Sequence, residues 1–423
     1  MIKGFLFEDF KGFQKAELFL EDISILIGTN ASGKSNAIEG IEILSEIATG
    51  KDFVTVLDGS RNSESFVRGG SKGCCRFKST SFGLGCLVDL DSQNDLLYKI
   101  RIKVGERVYV ESESLSIVSN GKMVNSGNSV FSTKKVPEPK SANIQVAIRN
   151  GKKRPNPEIT CLRDTAIFHQ LKNQPADEGS VMAANVNYIN LVLDNLKRIL
   201  VLSPNPDVMG GYCRKSDNVL KHDCSNLSAA LHALSEDTEK MDTLLSIIRQ
   251  LPENEIRDMG FLLPGNGDVL FYLEEKYMSS FGKVYANQLS AGTLRAIAVI
   301  TALLEEEEGS LVIIDEVDNG LHPSRAKALV SWMIKINKER KVDILITTHN
   351  VSLLNSLKGE TILGVSVAYR DEEKGLSQII PFVDMDNHAY ILASGGIGSA
   401  EEKDQLIMKE SPEQLPEWLE VDE

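Results

Sequence analysis

Three short clusters of residues could handle a nucleoside triphosphate. The first is Gly28-Thr-Asn-Ala-Ser-Gly33-Lys34-Ser35, which has the spacing GxxxxGK[ST] between an apolar run and a segment of helical periodicity. Its glycines let the backbone curl so that successive N–H groups face one phosphate, and the helix that follows adds its positive N-terminal end. Lys34 is suited to bridge β- and γ-phosphates as a mobile charge, and the Ser35 hydroxyl is a hard oxygen suited to Mg²⁺. Gly28, Thr29, Asn30, Ala31, Ser32, Gly33, Lys34, Ser35 and Asn36 are therefore the candidate ATP-binding residues, with Lys34 also counted as catalytic.

The second cluster is Leu311-Val-Ile-Ile-Asp315-Glu316, a buried strand ending in two acids. One acid there reads as a cap, whereas two adjacent acids divide into two tasks. Asp315 is expected to hold Mg²⁺ through water, and Glu316 to polarise the water that attacks the γ-phosphate. The third is Leu345-Ile-Thr-Thr-His349, whose histidine falls at the carboxyl end of a core strand, where open α/β sheets bind ligands. A γ-phosphate sensor is the role expected of His349. A further segment, Leu289-Ser290-Ala291-Gly292-Thr293, opens a helix, and its residues alone leave two meanings open: an anion site or a plain serine N-cap.

These groups need a scaffold. From Ile2 to Ile27 the pattern suggests a hairpin running into a buried strand at Ile23 to Ile27, and Ile38, Ile41, Leu44 and Ile47 mark one face of a helix over Asn36 to Ile47. Ser79 to Val130 reads as antiparallel strands and Ser132 to Ser141 as a linker. From there to Lys283 the signals are mostly helical, notably Asn195 to Leu202 and Asn226 to Leu251. The segment from Thr293 to Thr347 alternates helix and strand, which implies a parallel sheet. Ile362 to Tyr369 and Ser377 to Val383 read as a hairpin. The acidic tail from Ala400 is expected to be weakly ordered. The domains expected are an N-terminal lobe over 1–150, a mainly helical insertion over 151–285, a second core segment over 286–385 and a tail over 386–423.

The chain has 423 residues, 42% hydrophobic and 25% charged, with a net charge of −14. That is globular composition, and the acidic balance argues against a broadly basic nucleic-acid surface. The short run Lys152, Lys153 and Arg154 reads as a solvated turn. No run approaches the roughly 18 apolar residues of a membrane span, and no secretory signal is read at Met1 to Phe10, so a cytoplasmic location is expected. Six cysteines without a CxxC pair are expected as thiols, and Cys213, His222 and Cys224 fit no zinc spacing.

In order, GTNASGKSN, LSAGTLR, LVIIDEVDNGLHP and ITTHN resemble the ATPase heads of the ABC superfamily, most of all the RecF-, SMC- and OLD-like branch sometimes called AAA-type 15 or 21. The resemblance implies an α/β ABC-ATPase head: a mixed and parallel β core, an antiparallel β subdomain and an inserted helical lobe. It also implies that Ser290 and Gly292 reach the γ-phosphate held by Lys34 of a second copy, with Asn319 to His322 lying across the interface. Departures are Ala291 in place of the transporter signature's usual glycine, Val317 in place of the proline usual after the catalytic acid, and a Q-loop glutamine that is not placed. Asp384-Met-Asp386, which resembles part of an OLD-type acidic pair, reads as a turn. The function implied is an ATP-hydrolysing switch that dimerises on ATP and controls a separate effector, such as a nuclease in anti-phage defence. The alternative is an ATP-gated DNA clamp in repair.

Overall fold

The structure is a computed structural model describing residues 1–60, 65–119, 122–123, 128–134, 141–151, 155–177, 179–251, 255–277, 280–357, 359–371, 374–394 and 396–402. The basic run 152–154 and the acidic tail beyond 402 lie outside the described residues.

The chain opens with β1 (Ile2–Phe10), β2 (Phe13–Phe19) and β3 (Ile23–Ile27), then α1 (Lys34–Ala48), α2 (Phe53–Asp58) and α3 (Gly70–Cys74). An antiparallel series follows: β4 (Ser81–Asp89), β5 (Asn94–Val104), β6 (Val108–Ser119), β7 (Lys122–Met123), β8 (Ser129–Thr133), β9 (Asn143–Ile148) and β10 (Glu158–Leu162). The middle of the chain holds α4 (Ile167–Leu171), α5 (Val181–Lys197), β11 (Ile199–Leu202), α6 (Pro206–Met209), β12 (Cys213–Arg214), α7 (Leu227–Leu234), α8 (Thr238–Ile248), β13 (Ile256–Leu262), β14 (Asp268–Tyr277) and β15 (Ser280–Tyr285). The last part holds α9 (Ala291–Glu305), β16 (Leu311–Ile314), α10 (Pro323–Arg340), β17 (Asp343–Thr347), α11 (Val351–Leu354), β18 (Val365–Arg370), β19 (Ser377–Pro381), α12 (His388–Ser394) and α13 (Ile397–Glu402).

One sheet runs through the molecule in the order β10-β9-β8-β6-β5-β4-β1-β2-β19-β18-β3-β17-β16-β11. Pairing is antiparallel from β10 to β2, and parallel from β18 through β3, β17 and β16 to β11. A parallel sheet is covered on both faces, so its strands are largely apolar, with alternate residues serving opposite cores. The core strands follow that rule. Val312, Ile314, Ile344 and Ile346 enter the core under α9 and α10, while Leu311, Ile313 and Leu345 enter the core under α1 and α5.

Two expectations need correction. Asn195 to Leu202 is not one helix: α5 ends at Lys197, and Ile199–Leu202 is the edge strand of the parallel core, paired with Leu311–Ile314. Four apolar residues after a helical stripe look locally like its continuation. The carbonyl of Arg198, which accepts from the Leu311 amide at 3.0 Å, and the open edge of β16 favour extension instead. The segment 151–285 is likewise mixed rather than mainly helical, because β13, β14 and β15 form an antiparallel sheet with β12 against α7 and α8. The hairpin at β18 and β19 and the antiparallel strands after Ser79 lie where the patterning places them. Asp384 ends a 3-10 turn over Phe382–Asp384, and Met385 follows it. All six cysteines are free, and no helix of the described residues is long and apolar enough to cross a membrane.

Several carboxyls are buried. Glu113 on β6 accepts the amides of Ile167 and Phe168 at 2.7 and 2.8 Å, which ties α4 to the sheet, and burial pushes its pKa up to about 7 against those hydrogen bonds. Burial likewise pushes Glu17, Glu42 and Glu305 up to about 8, and Asp343 up to about 7. A carboxyl raised in the folded state binds its proton more tightly there than in the unfolded chain, so its contribution is complete below the unfolded pKa of roughly 4 and is lost as pH rises through 7 to 8. Urea unfolding is therefore expected to give a higher midpoint at about pH 5.5 than at about pH 8.5. An equal or higher midpoint at the alkaline pH would contradict this.

Candidate functional site: a phosphate loop and two acids at one sheet end

Strands β3, β17 and β16 are adjacent and parallel, so their carboxyl ends open on one side of the sheet. The loop after β3 carries Gly28 to Gly33, the residues after β17 carry His349, and those after β16 carry Asp315 and Glu316. In this way the order of strands joins segments some 300 residues apart.

At Gly28 the backbone has φ +139°, and a Cβ would stand 1.9 Å from the Ala368 carbonyl oxygen, so only glycine fits. Ala31 also takes a left-handed φ of 65°, a conformation costly for an L side chain. Gly33 precedes α1 with no side-chain cap, and no acidic residue sits in the first turn. The helix therefore offers its positive end toward the loop. Ser32 is buried and its hydroxyl has no hydrogen-bond partner, while Ser35 is exposed at the mouth. Lys34 Nζ donates to the carbonyls of Gly28 and Thr29 at 2.6 and 3.1 Å. Burial lowers the Lys34 pKa, and the nearby carboxylates of Glu401, Asp315 and Glu316 act against it. Asn30 is exposed at the tip of the loop. Asn36 accepts from Arg68 at 2.9 Å, and Arg68 is paired with the buried Glu39.

The second acid is positioned by a residue that motif reading overlooks. Thr347, fully buried at the end of β17, donates to Asp315 Oδ1 at 2.5 Å, and its hydroxyl oxygen accepts the Glu316 amide at 2.7 Å. Glu316 sits at φ 50°, and its carboxylate accepts from Asn319 Nδ2 at 3.0 Å. Thr347→Val keeps the shape of the side chain but leaves the Glu316 amide without its acceptor, at a cost of about 1–3 kcal/mol. Any nucleotide turnover is expected to fall about tenfold while nucleotide affinity stays within a few-fold, measured by steady-state phosphate release and calorimetry. Unchanged turnover would remove Thr347 from the site. Its only signal in the sequence is a threonine before the Thr-His pair.

Ser290 caps α9: its Oγ accepts the Thr293 amide at 3.1 Å and lies 2.8 Å from Thr293 Oγ1. Gly292 packs against the loop after Glu316, where a Cβ would approach Gly320 O and Leu321 Cδ2 to 3.0 Å. Among the described residues no hydrogen bond or ion pair links Ser290 or Gly292 to the phosphate loop of the same chain. Asn319 to His322 form the turn between β16 and α10, and His322 caps α10.

His349 is partly exposed and pairs with Glu401 of α13, Nδ1 to Oε1 at 3.2 Å. Of Cys213, His222 and Cys224, the first lies on β12 and the last is buried in the core under α9. His222 is near Asp315; burial lowers its pKa, and the carboxylates of Asp223 and Asp315 act the other way. No group of His, Cys, Asp and Glu among the described residues is arranged as a metal site on its own. Ser35 carries a hard hydroxyl oxygen and Asp315 a carboxylate, the donor types that suit Mg²⁺.

Residues 219–355 match the sequence family described as "AAA domain, putative AbiEii toxin, Type IV TA system". The chain is 27% identical over 24% of its length to the methionine import ATP-binding protein MetN of Latilactobacillus sakei subsp. sakei (strain 23K), covering 29% of that protein. It is 30% identical over 22% of its length to MetN of Corynebacterium jeikeium (strain K411), covering 24% of that protein. These matches support reading the chain as an ABC/SMC-like P-loop ATPase head. It spans less than a third of the length of these two relatives. Among solved structures, the SMC head domain from Thermotoga maritima is 14% identical, with a TM-score of 0.41 over 90% of this chain and 98% of that one. An SMC head bound to the C-terminal winged-helix domain of ScpA is 11% identical, with a TM-score of 0.46 over 90% of this chain and 96% of that one. The loop after β3 and the acid pair after β16 lie at the same end of the parallel sheet.

Proposed function

We propose that this chain hydrolyses ATP, that two copies close around the nucleotide, and that the closed state controls a separate effector protein. The observation that carries the reading is the division of the site. Lys34, Asp315 and Glu316 converge at one sheet end, whereas the exposed Ser290 at the start of α9 has no bond to its own phosphate loop. A second copy would bring that helix start to the γ-phosphate.

In this reading the loop amides and Lys34 hold the phosphates, and Ser35 and Asp315 hold Mg²⁺. Held there, the cation would supply charge neutralisation to the phosphate oxygens. Glu316 takes the proton from the attacking water, and His349 faces the γ-phosphate. The likeness to a family described by an AbiEii toxin supports a role in defence, with a nuclease as the effector proposed. The net charge of −14 disfavours a DNA clamp. We place the protein in the cytoplasm, where ATP is available.

Light scattering with Mg²⁺ and ATP tests the division of the site. The wild-type chain is expected to double its mass, and Ser290→Arg to stay at the lower mass while binding nucleotide within about threefold of wild type. A variant that still doubles its mass would overturn the shared-site reading.

A further inference from the structure

Helix α13 returns to the nucleotide site from the far end of the chain. Its start is held by Asn355, just past α11, whose Oδ1 accepts the amides of Gly398 and Ser399 at 2.9 and 3.3 Å and whose Nδ2 donates to Ser399 Oγ at 3.1 Å. At Gly398 a Cβ would stand 2.3 Å from the Val351 carbonyl oxygen, so the backbone of α13 lies directly on α11. Ile397 and Ala400 are buried. Only Asn350 lies between His349 and α11, so α13 docks on the helix that directly follows the histidine.

That docking delivers one carboxylate. Glu401, with its side chain only 10% exposed, bonds His349 through Oε1. Its Oε2 is buried with no hydrogen-bond partner. An unmatched buried carboxylate oxygen is costly unless a positive group faces it. Glu401 also stands foremost among the carboxylates acting on Lys34. One carboxylate thus bonds the histidine and acts on the lysine that a γ-phosphate would require. Two anions cannot share that ground at low dielectric.

We propose that Glu401 and the γ-phosphate of ATP compete for this position, so that ATP releases α13 from α11 and ADP does not. The inference rests on the nucleotide site proposed above and adds its regulation: the presence of a γ-phosphate is converted into undocking of the C-terminal helix. An effector that binds this region would then read the nucleotide state directly.

The test uses the full chain with Mg²⁺ and either ADP or the non-hydrolysable analogue AMP-PNP. Glu401→Ala is expected to raise affinity for AMP-PNP about tenfold and to leave ADP within twofold, by calorimetry. Glu401→Gln keeps the volume and should shift AMP-PNP the same way, which separates the effect from misfolding. In the wild-type chain AMP-PNP should speed hydrogen exchange at residues 396–402, and ADP should not. Equal gains for both nucleotides, weaker AMP-PNP binding, or exchange indifferent to AMP-PNP would overturn the competition while leaving the phosphate loop in place. A wild-type chain that binds neither nucleotide would overturn the site itself and the competition with it.

Discussion

Lys34→Ala is expected to lower ATP affinity by a factor on the order of 100 or more, measured by calorimetry with Mg²⁺. Lys34 is the one cation of the phosphate loop, and it would make charge-assisted bonds to two phosphates at about 1.5–3 kcal/mol each. In the structure its ammonium already rests on the Gly28 and Thr29 carbonyls, so it is fixed at the mouth of the loop rather than searching for it. Burial favours losing the proton, and Glu401, Asp315 and Glu316 favour keeping it. Removing the ammonium would leave those three carboxylates facing an incoming phosphate with no cation from the loop. The fold should survive, because Lys34 lies in the first turn of α1 and alanine is a good helix former. Unchanged affinity would end the phosphate-loop assignment.

Glu316→Gln should have the opposite profile: ATP still binds, turnover falls by about 10²–10⁴, and the doubled mass expected with ATP persists instead of decaying. Glutamine keeps the volume and can still accept from Asn319 Nδ2, so the geometry after β16 is retained. The amide that Thr347 accepts belongs to the backbone and is untouched. What is lost is the capacity to take a proton from water. Phosphate release together with light scattering checks both halves. Wild-type turnover would show that another group is the base, and His222, near Asp315, would be the first to examine.

The local chemistry was written in order along the chain. Gly28 to Ser35, the apolar run ending at Asp315 and Glu316, and the run ending before His349 each announce a strand and its functional end, because glycine conformation, period and polarity act over a few residues. Tertiary structure decided which partners those segments met. A pattern of two or 3.6 residues says that a face is apolar without saying against what. For that reason Ile199 to Leu202 passed for the end of a helix until the free edge of β16 claimed it. The threonine that orients both acids, and the glutamate that meets His349 from 52 positions away, were equally hidden. Both act by hydrogen bonds across elements joined only by the order of strands and the docking of α13 on α11. That information resides in the pairing of distant backbone, where burial and loop closure are settled together.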